Sequence, residues 1–212
     1  EYKPVIGQSF SFPSIWTLLF VFAMFITLIY PFKDLNGFGK FVLINTNSRK
    51  TWWYSKCCWI IVTMAIINVI ILSAIMIFGL ITKASFSGEV SEYCIAIANN
   101  KFDYYMYKSF HIGLKLVLPF FIMVAMSMLQ MTISLVVKPN VSFMLTVTHI
   151  ISAAFYKTPF LFSNYAMLLR NDAVVNNGLR AATGILISII VTVSSMIIGS
   201  IVFSRYDILN RE

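Results

Sequence analysis

Charge is scarce in this chain, and acid is scarcer than base. Eight Asp and Glu stand against 16 Lys and Arg in 212 residues, so 11% of the residues are charged, less than half the roughly 25% of a soluble domain. With 59% hydrophobic residues and a mean hydropathy of +0.83, the deficit is that of an integral membrane protein. The three cysteines, Cys57, Cys58 and Cys94, give neither a disulfide framework nor a metal-ligand spacing. His111 and His149 are the only histidines and no H-E-x-x-H occurs, so zinc chemistry has no support. "GFGKF" at 37–41 lacks the G-x-x-x-x-G-K-[ST] spacing that wraps phosphates in backbone amides, which excludes a P-loop here. Gly37 and Gly39 read as turn residues. Segments of about ten alternating polar and apolar residues, the mark of a transmembrane barrel, are missing. No internal repeat or low-complexity tract divides the chain, so residues 1–212 read as one domain.

What is there is a series of long apolar runs, at 14–30, 57–81, 110–137, 141–156 and 181–203, most of them near the roughly 20 residues needed to span hydrocarbon as a helix. The fold class is all-α, a polytopic transmembrane helix bundle. The first span enters at Pro13 and is expected to end at Pro31, since proline disfavours helix continuation. The loop 31–56 carries Lys33, Lys40, Arg49, Lys50 and Lys56 against Asp34 alone, so the positive-inside rule makes it cytoplasmic. The loop 83–109 balances Lys83, Lys101 and Lys108 with Glu89, Glu92 and Asp103 and reads as outer. Residues 157–178 contain a proline, an apolar stretch too short to cross and a glycine turn, the pattern of a re-entrant or interfacial outer segment. Arg205 and Arg211 place the C-terminus inside. With Glu1 outside, five spans are visible of an expected six, the first preceding Glu1.

The basic and aromatic stretch "SRKTWWYSK" at 48–56 would suggest nucleic acid in a soluble protein. Between two spans it reads as a topology signal, with no nucleic-acid partner. Trp52, Trp53 and Tyr54 are expected at the headgroup level, with Arg49, Lys50 and Lys56 holding the loop inside. The preceding "DLNGFGKFVLINTN" is semi-apolar, enough for a short helix along the inner surface that could dock on a soluble partner. Four polar residues within spans are candidates for a substrate path. His149 reads as a neutral histidine bonded to a neighbouring helix, or else as a proton or ion group. Lys115 reads as a side chain snorkelling to the outer headgroups, with substrate contact as the alternative. Asn68 and Gln130 read as glue between helices, or as a polar lining. Met123, Met126, Met128 and Met131 would pack the membrane interior or form an adaptable wall. No catalytic or metal-binding residue is expected.

"YPFKDLNGFGKFVLINTNSRKTWWYSK", "TPFLFSNYAMLLRN" and the terminal "SRYDILNRE" resemble the six-helix permease subunits of ABC exporters of the type-2 superfamily, particularly small bacterial ones that handle peptides or toxins. The resemblance covers most of the chain in hydropathy and little of it in residue identity. It implies a coupling surface over 34–56, with Asp34, Lys40, Arg49, Lys50, Trp52, Trp53 and Lys56 facing an ATPase. It also implies an outer gate region over 158–171, with Pro159, Asn164 and Arg170. ATP and Mg would be bound by separate ATPase subunits, and this chain would hold no cofactor of its own. A second permease copy or homologue, the bilayer of a bacterial plasma membrane and a hydrophobic or amphipathic peptide complete the implied partners. A secondary transporter or channel using His149 and Lys115, and a non-transporting immunity or scaffold protein, are the rival readings.

Overall fold

A computed structural model describes residues 12–37, 39, 41, 43, 45, 48–83, 112–167, 170–172 and 178–205. Five α-helices have described bounds: α1 (Ser14–Asn36), α2 (Arg49–Ile81), α3 (Ile112–Ser134), α4 (Pro139–Phe155) and α5 (Ala181–Ser204). A short 3₁₀ turn, Phe162–Ala166, lies between α4 and α5, and no β-strand is found among the described residues. Three helices are long and apolar enough to cross a membrane, the shorter apolar stretches being Ser14–Leu28 and Pro139–Phe155. The all-α reading holds, and the chain is a membrane protein.

The helices run alternately up and down. α3 is the hub, packed against every other helix and against the 3₁₀ turn. Its apolar stretch is 61% buried within the bundle, against 11% for α2 and 22% for α5. Leu118, Ile122, Ala125, Met126 and Met128 of α3 are core residues, while Ile66, Val69, Ile70 and Ile75 of α2 and Ile189, Ile190, Val193 and Ile197 of α5 are exposed. In a membrane that inversion is stable, because lipid tails solvate an apolar helix surface as well as protein does. All four methionines of the α3 run are buried, so they fill the core of the bundle.

Two boundaries differ from expectation. α1 continues past Pro31 to Asn36. A proline inside a helix removes one backbone hydrogen bond, and membrane helices tolerate this where neighbouring groups take up the freed carbonyl; α3 likewise contains Pro119. The second correction is larger. α2 begins at Arg49, not near Cys57, so the basic and aromatic stretch is helix. Ser48 caps it, its hydroxyl accepting from the Thr51 amide at 3.4 Å and lying 2.9 Å from the Thr51 hydroxyl. Trp53, Cys57, Ile60 and Met64 are buried along one face, the three- and four-residue spacing of a helix that meets its neighbour. At 33 residues and about 1.5 Å per residue, α2 is longer than the hydrocarbon layer is thick, so its first turns extend beyond it at the basic end. Among residues 38–47 the described positions 39, 41, 43 and 45 have helical backbone, and Leu43 is buried in the core.

Candidate functional site

Two indoles lock α2 to α5 at the basic end. Trp53 is 1% exposed, lies against the backbone of Gly199, and donates its Nε1 proton to the Met196 carbonyl at 3.0 Å. Gly199 is required there, because a Cβ would overlap the ring of Trp53. Trp52 stacks on Phe203 with centroids 4.8 Å apart and 19° between planes, and Trp53 faces the same ring at 5.9 Å. Arg49 donates to the Ser204 carbonyl at 3.1 Å. A cation on the first turn of α2 opposes that helix's dipole, and placing the guanidinium on the C-terminal carbonyl of α5 turns the same charge into a favourable one.

Asp34 and Lys56 join α1 to the same place. Lys56 Nζ is 2.6 Å from Asp34 Oδ2, with side chains 10% and 16% exposed, and the ammonium lies 5.2 Å from the centroid of Trp52. Gly39 approaches the Asp34 carboxylate so closely that a Cβ would collide with it. The end of α1, the following turn, the start of α2 and the end of α5 are thus fastened through one carboxylate, one ammonium and three aromatic rings. Trp52 and Trp53 are buried between helices, where stacking on Phe203 covers their apolar rings. Lys56 is likewise buried rather than presented, while Arg49 and Lys50 are exposed. Lys40 lies outside the described residues.

The polar residues of the bundle interior form a second set. Gln130 is 1% exposed; its Nε2 donates to the Met24 carbonyl at 2.9 Å and its Oε1 accepts from Thr146 Oγ1 at 2.8 Å. Ser142 donates to the Gln130 carbonyl at 2.6 Å. Thr132 donates to the Ser195 carbonyl at 3.0 Å. Gln130 is therefore glue, tying α1, α3 and α4, as expected of an amide in a membrane helix. His149 departs from its expected role. Its ring packs on Phe162 with centroids 4.8 Å apart, and its buried Nε2 has no hydrogen-bond partner, so an aromatic contact to the 3₁₀ turn replaces the interhelical bond. Asn68 also departs. No hydrogen bond to its amide is found among the described residues, and it lines a cavity between α1, α2 and α3. Lys115 lies in α3, its side chain outside the description.

At the opposite end, Arg170 is 5% exposed and caps α4. Its Nη2 donates to the Ala154 carbonyl at 2.6 Å, and its Nη1 to the carbonyls of Ala153 and, at 3.1 Å, Tyr156. The Asn164 Oδ1 accepts from the same nitrogen, and the Asn164 amide donates to Tyr156 at 2.9 Å and Thr158 at 3.1 Å. A forked cation satisfies the orphan carbonyls of a helix end and the negative end of its dipole at once. The Leu179 amide then donates to the Arg170 carbonyl at 2.7 Å, fixing the entry to α5. Of the three residues expected at an outer gate, Asn164 and Arg170 meet, while Pro159 is exposed beside them.

Phe203, Gly199, Met196 and the carbonyls of Ala153 and Ala154 had no counterpart among the sequence candidates. The face repeating through Trp53, Cys57, Ile60 and Met64 was a signal for the first clasp; backbone acceptors carry none. Among the described residues no group of three His, Cys, Asp or Glu is placed to hold a metal ion.

Neither the curated proteins nor the solved structures include a match to this chain. A protein family described as a protein of unknown function, DUF2705, matches residues 2–209, and the chain belongs to it.

Proposed function

We propose that this DUF2705 chain is the membrane-spanning permease subunit of an ABC exporter in a bacterial plasma membrane. Separate ATPase subunits bind ATP and Mg, a second permease copy or homologue completes the pathway, and the cargo is a hydrophobic or amphipathic peptide. The observation that carries the reading is the clasp at the basic end. Exposed Arg49 and Lys50 stand on the first turn of α2, and that turn is joined rigidly to α5 through Trp52, Trp53 and Phe203 and to α1 through Asp34 and Lys56. A push delivered there by a soluble partner would move three helices as a unit, the kind of rigid-element displacement that switches a bundle between two packings. The bundle also keeps its polar interior groups mostly paired, which favours an apolar cargo over an ion or a strongly polar solute.

Retrieval of the full chain from its native membrane in mild detergent tests this. An ATPase subunit carrying a P-loop is expected to co-purify in fixed stoichiometry, with hydrolysis lost when its P-loop lysine is replaced. Transport of a labelled peptide by the chain alone, without an ATPase, would support the secondary-transporter reading instead. Peptide retention with no ATPase and no transport would support the immunity or scaffold reading.

A further inference from the structure

We infer that the cavity between α1, α2 and α3 receives one apolar side chain of a peptide, with Asn68 bonding the peptide's backbone amide; this deepens the peptide cargo proposed above and rests on that reading. The cavity has a volume of about 170 Å3 and is walled by Trp16, Phe20, Ile71, Leu72 and Met123, among others, with Asn68 at its edge. Asn68, Ile71, Leu72 and Ile75 follow the i, i+3, i+4, i+7 spacing of one helix face. An apolar cavity of about 150 Å3 accommodates a benzene ring, so this one, which is partly open, has room for a leucine- or phenylalanine-sized group.

Asn68 selects among occupants. Ser127, Gln130, Thr132, Ser142 and Thr146 each have a hydrogen-bond partner in the bundle, whereas the Asn68 amide has none among the described residues. It sits well inside α2, twelve residues or more from either helix end, where an unpaired amide is costly. A water held there would find few further polar partners in an apolar pocket, and a stable buried water needs two to four. A lipid acyl chain fits the walls but carries its ester at the headgroup end, leaving only methylenes opposite Asn68. A peptide brings an N–H and a C=O next to every apolar side chain, which matches an amide that both donates and accepts.

The test uses the full chain in lipid nanodiscs and two photoreactive probes: N-acetyl-photoleucine N-methylamide, and a phosphatidylglycerol with a diazirine on its acyl chain. The amide probe is expected to form adducts at the cavity walls, at Phe20, Ile71 and Met123, that excess N-acetyl-leucine N-methylamide competes away. In Asn68→Leu these adducts should fall about fivefold, the size of one lost hydrogen bond. Leu72→Trp, which fills the cavity and leaves Asn68 in place, should abolish them, while labelling by the lipid probe stays unchanged in both variants. Uncompeted amide-probe adducts spread along the exposed faces of α2 and α5 would overturn the inference. So would cavity labelling by the lipid probe that depends on Asn68, which would make the occupant a lipid. The assay needs no ATPase: specific adducts from a chain that retrieves no ATPase would refute the exporter reading alone, and an ATPase complex without cavity adducts would refute the pocket alone.

Discussion

Replacing Gly199 by alanine perturbs one contact, and the competing terms can be weighed. A Cβ at this position would overlap the Trp53 ring, with Cη2 at 2.6 Å and Cε2 at 2.7 Å. The ring cannot slide freely, since Nε1 is tethered to the Met196 carbonyl at 3.0 Å and Phe203 lies 5.9 Å away. Overpacking a dense interior costs about 1–3 kcal/mol, and moving the indole gives up a hydrogen bond worth about 1 kcal/mol. Alanine recovers at most about 1 kcal/mol as the better helix former. The losses exceed the gain, and Gly199→Ala is expected to destabilise the protein by about 1–3 kcal/mol. That corresponds to a thermal midpoint lower by several degrees for a chain of this size, at about 2–4 °C per kcal/mol. Unfolding in detergent, followed by tryptophan emission, measures it. Trp53→Phe should cost less in the alanine background than in the wild type, giving a coupling of about 1 kcal/mol in the double-mutant cycle. A variant as stable as wild type, or two strictly additive effects, would refute the clasp.

The Asp34–Lys56 pair gives a second test of the basic end. Lys56→Met leaves a largely buried carboxylate without its cation and should destabilise by about 3 kcal/mol, the low end for a buried pair because the side chains are 10% and 16% exposed, whereas adding Asp34→Leu should recover most of that loss, read as thermal midpoints of the single and double variants. Arg170→Lys keeps the charge and loses the fork, so one ammonium cannot serve the carbonyls of Ala153, Ala154 and Tyr156 together; a cost of about 1.5–3 kcal/mol and faster trypsin cleavage within 157–180 are expected. Wild-type protease resistance in that variant would show that the fork is dispensable. For topology, in a background with Cys57, Cys58 and Cys94 replaced by Ser, a cysteine at the exposed Thr51 should be shielded from an impermeant thiol reagent in intact cells, and one at the exposed Thr82 should react. Labelling of both from outside would reverse the orientation.

The helical class was legible because apolar run length alone reports it: among the described residues each of the five apolar runs corresponds to a helix, with at least one boundary near its expected place. The start of α2 was not read, because Arg49, Lys50 and Lys56 raise local polarity and hide a helical face of Trp53, Cys57 and Ile60. The charge pattern described the surface of that turn, where Arg49 and Lys50 are indeed exposed, and concealed its buried side. Gln130 could be read as interhelical glue since a lone amide in an apolar helix has few other fates. Asn68 has the same sequence signature and no such partner among the described residues. What separates them is the neighbour: Met24 and Thr146 stand within reach of Gln130, and only apolar walls and a cavity stand beside Asn68. No hydropathy pattern encodes that difference. The meeting of Arg170 with Asn164 was not legible, because the partners that hold them are mostly backbone carbonyls at the end of α4, which every residue type supplies equally.

The permease reading turns on what meets the first turn of α2. A photoreactive benzoylphenylalanine placed at exposed Lys50, and in a parallel protein at exposed Thr82, can be activated in native membranes and its adducts identified by mass spectrometry. The account predicts a covalent adduct between position 50 and an ATPase subunit that carries a P-loop, and none from position 82. An ATPase adduct from position 82, or no ATPase adduct from position 50 in membranes that contain the intact complex, would contradict it.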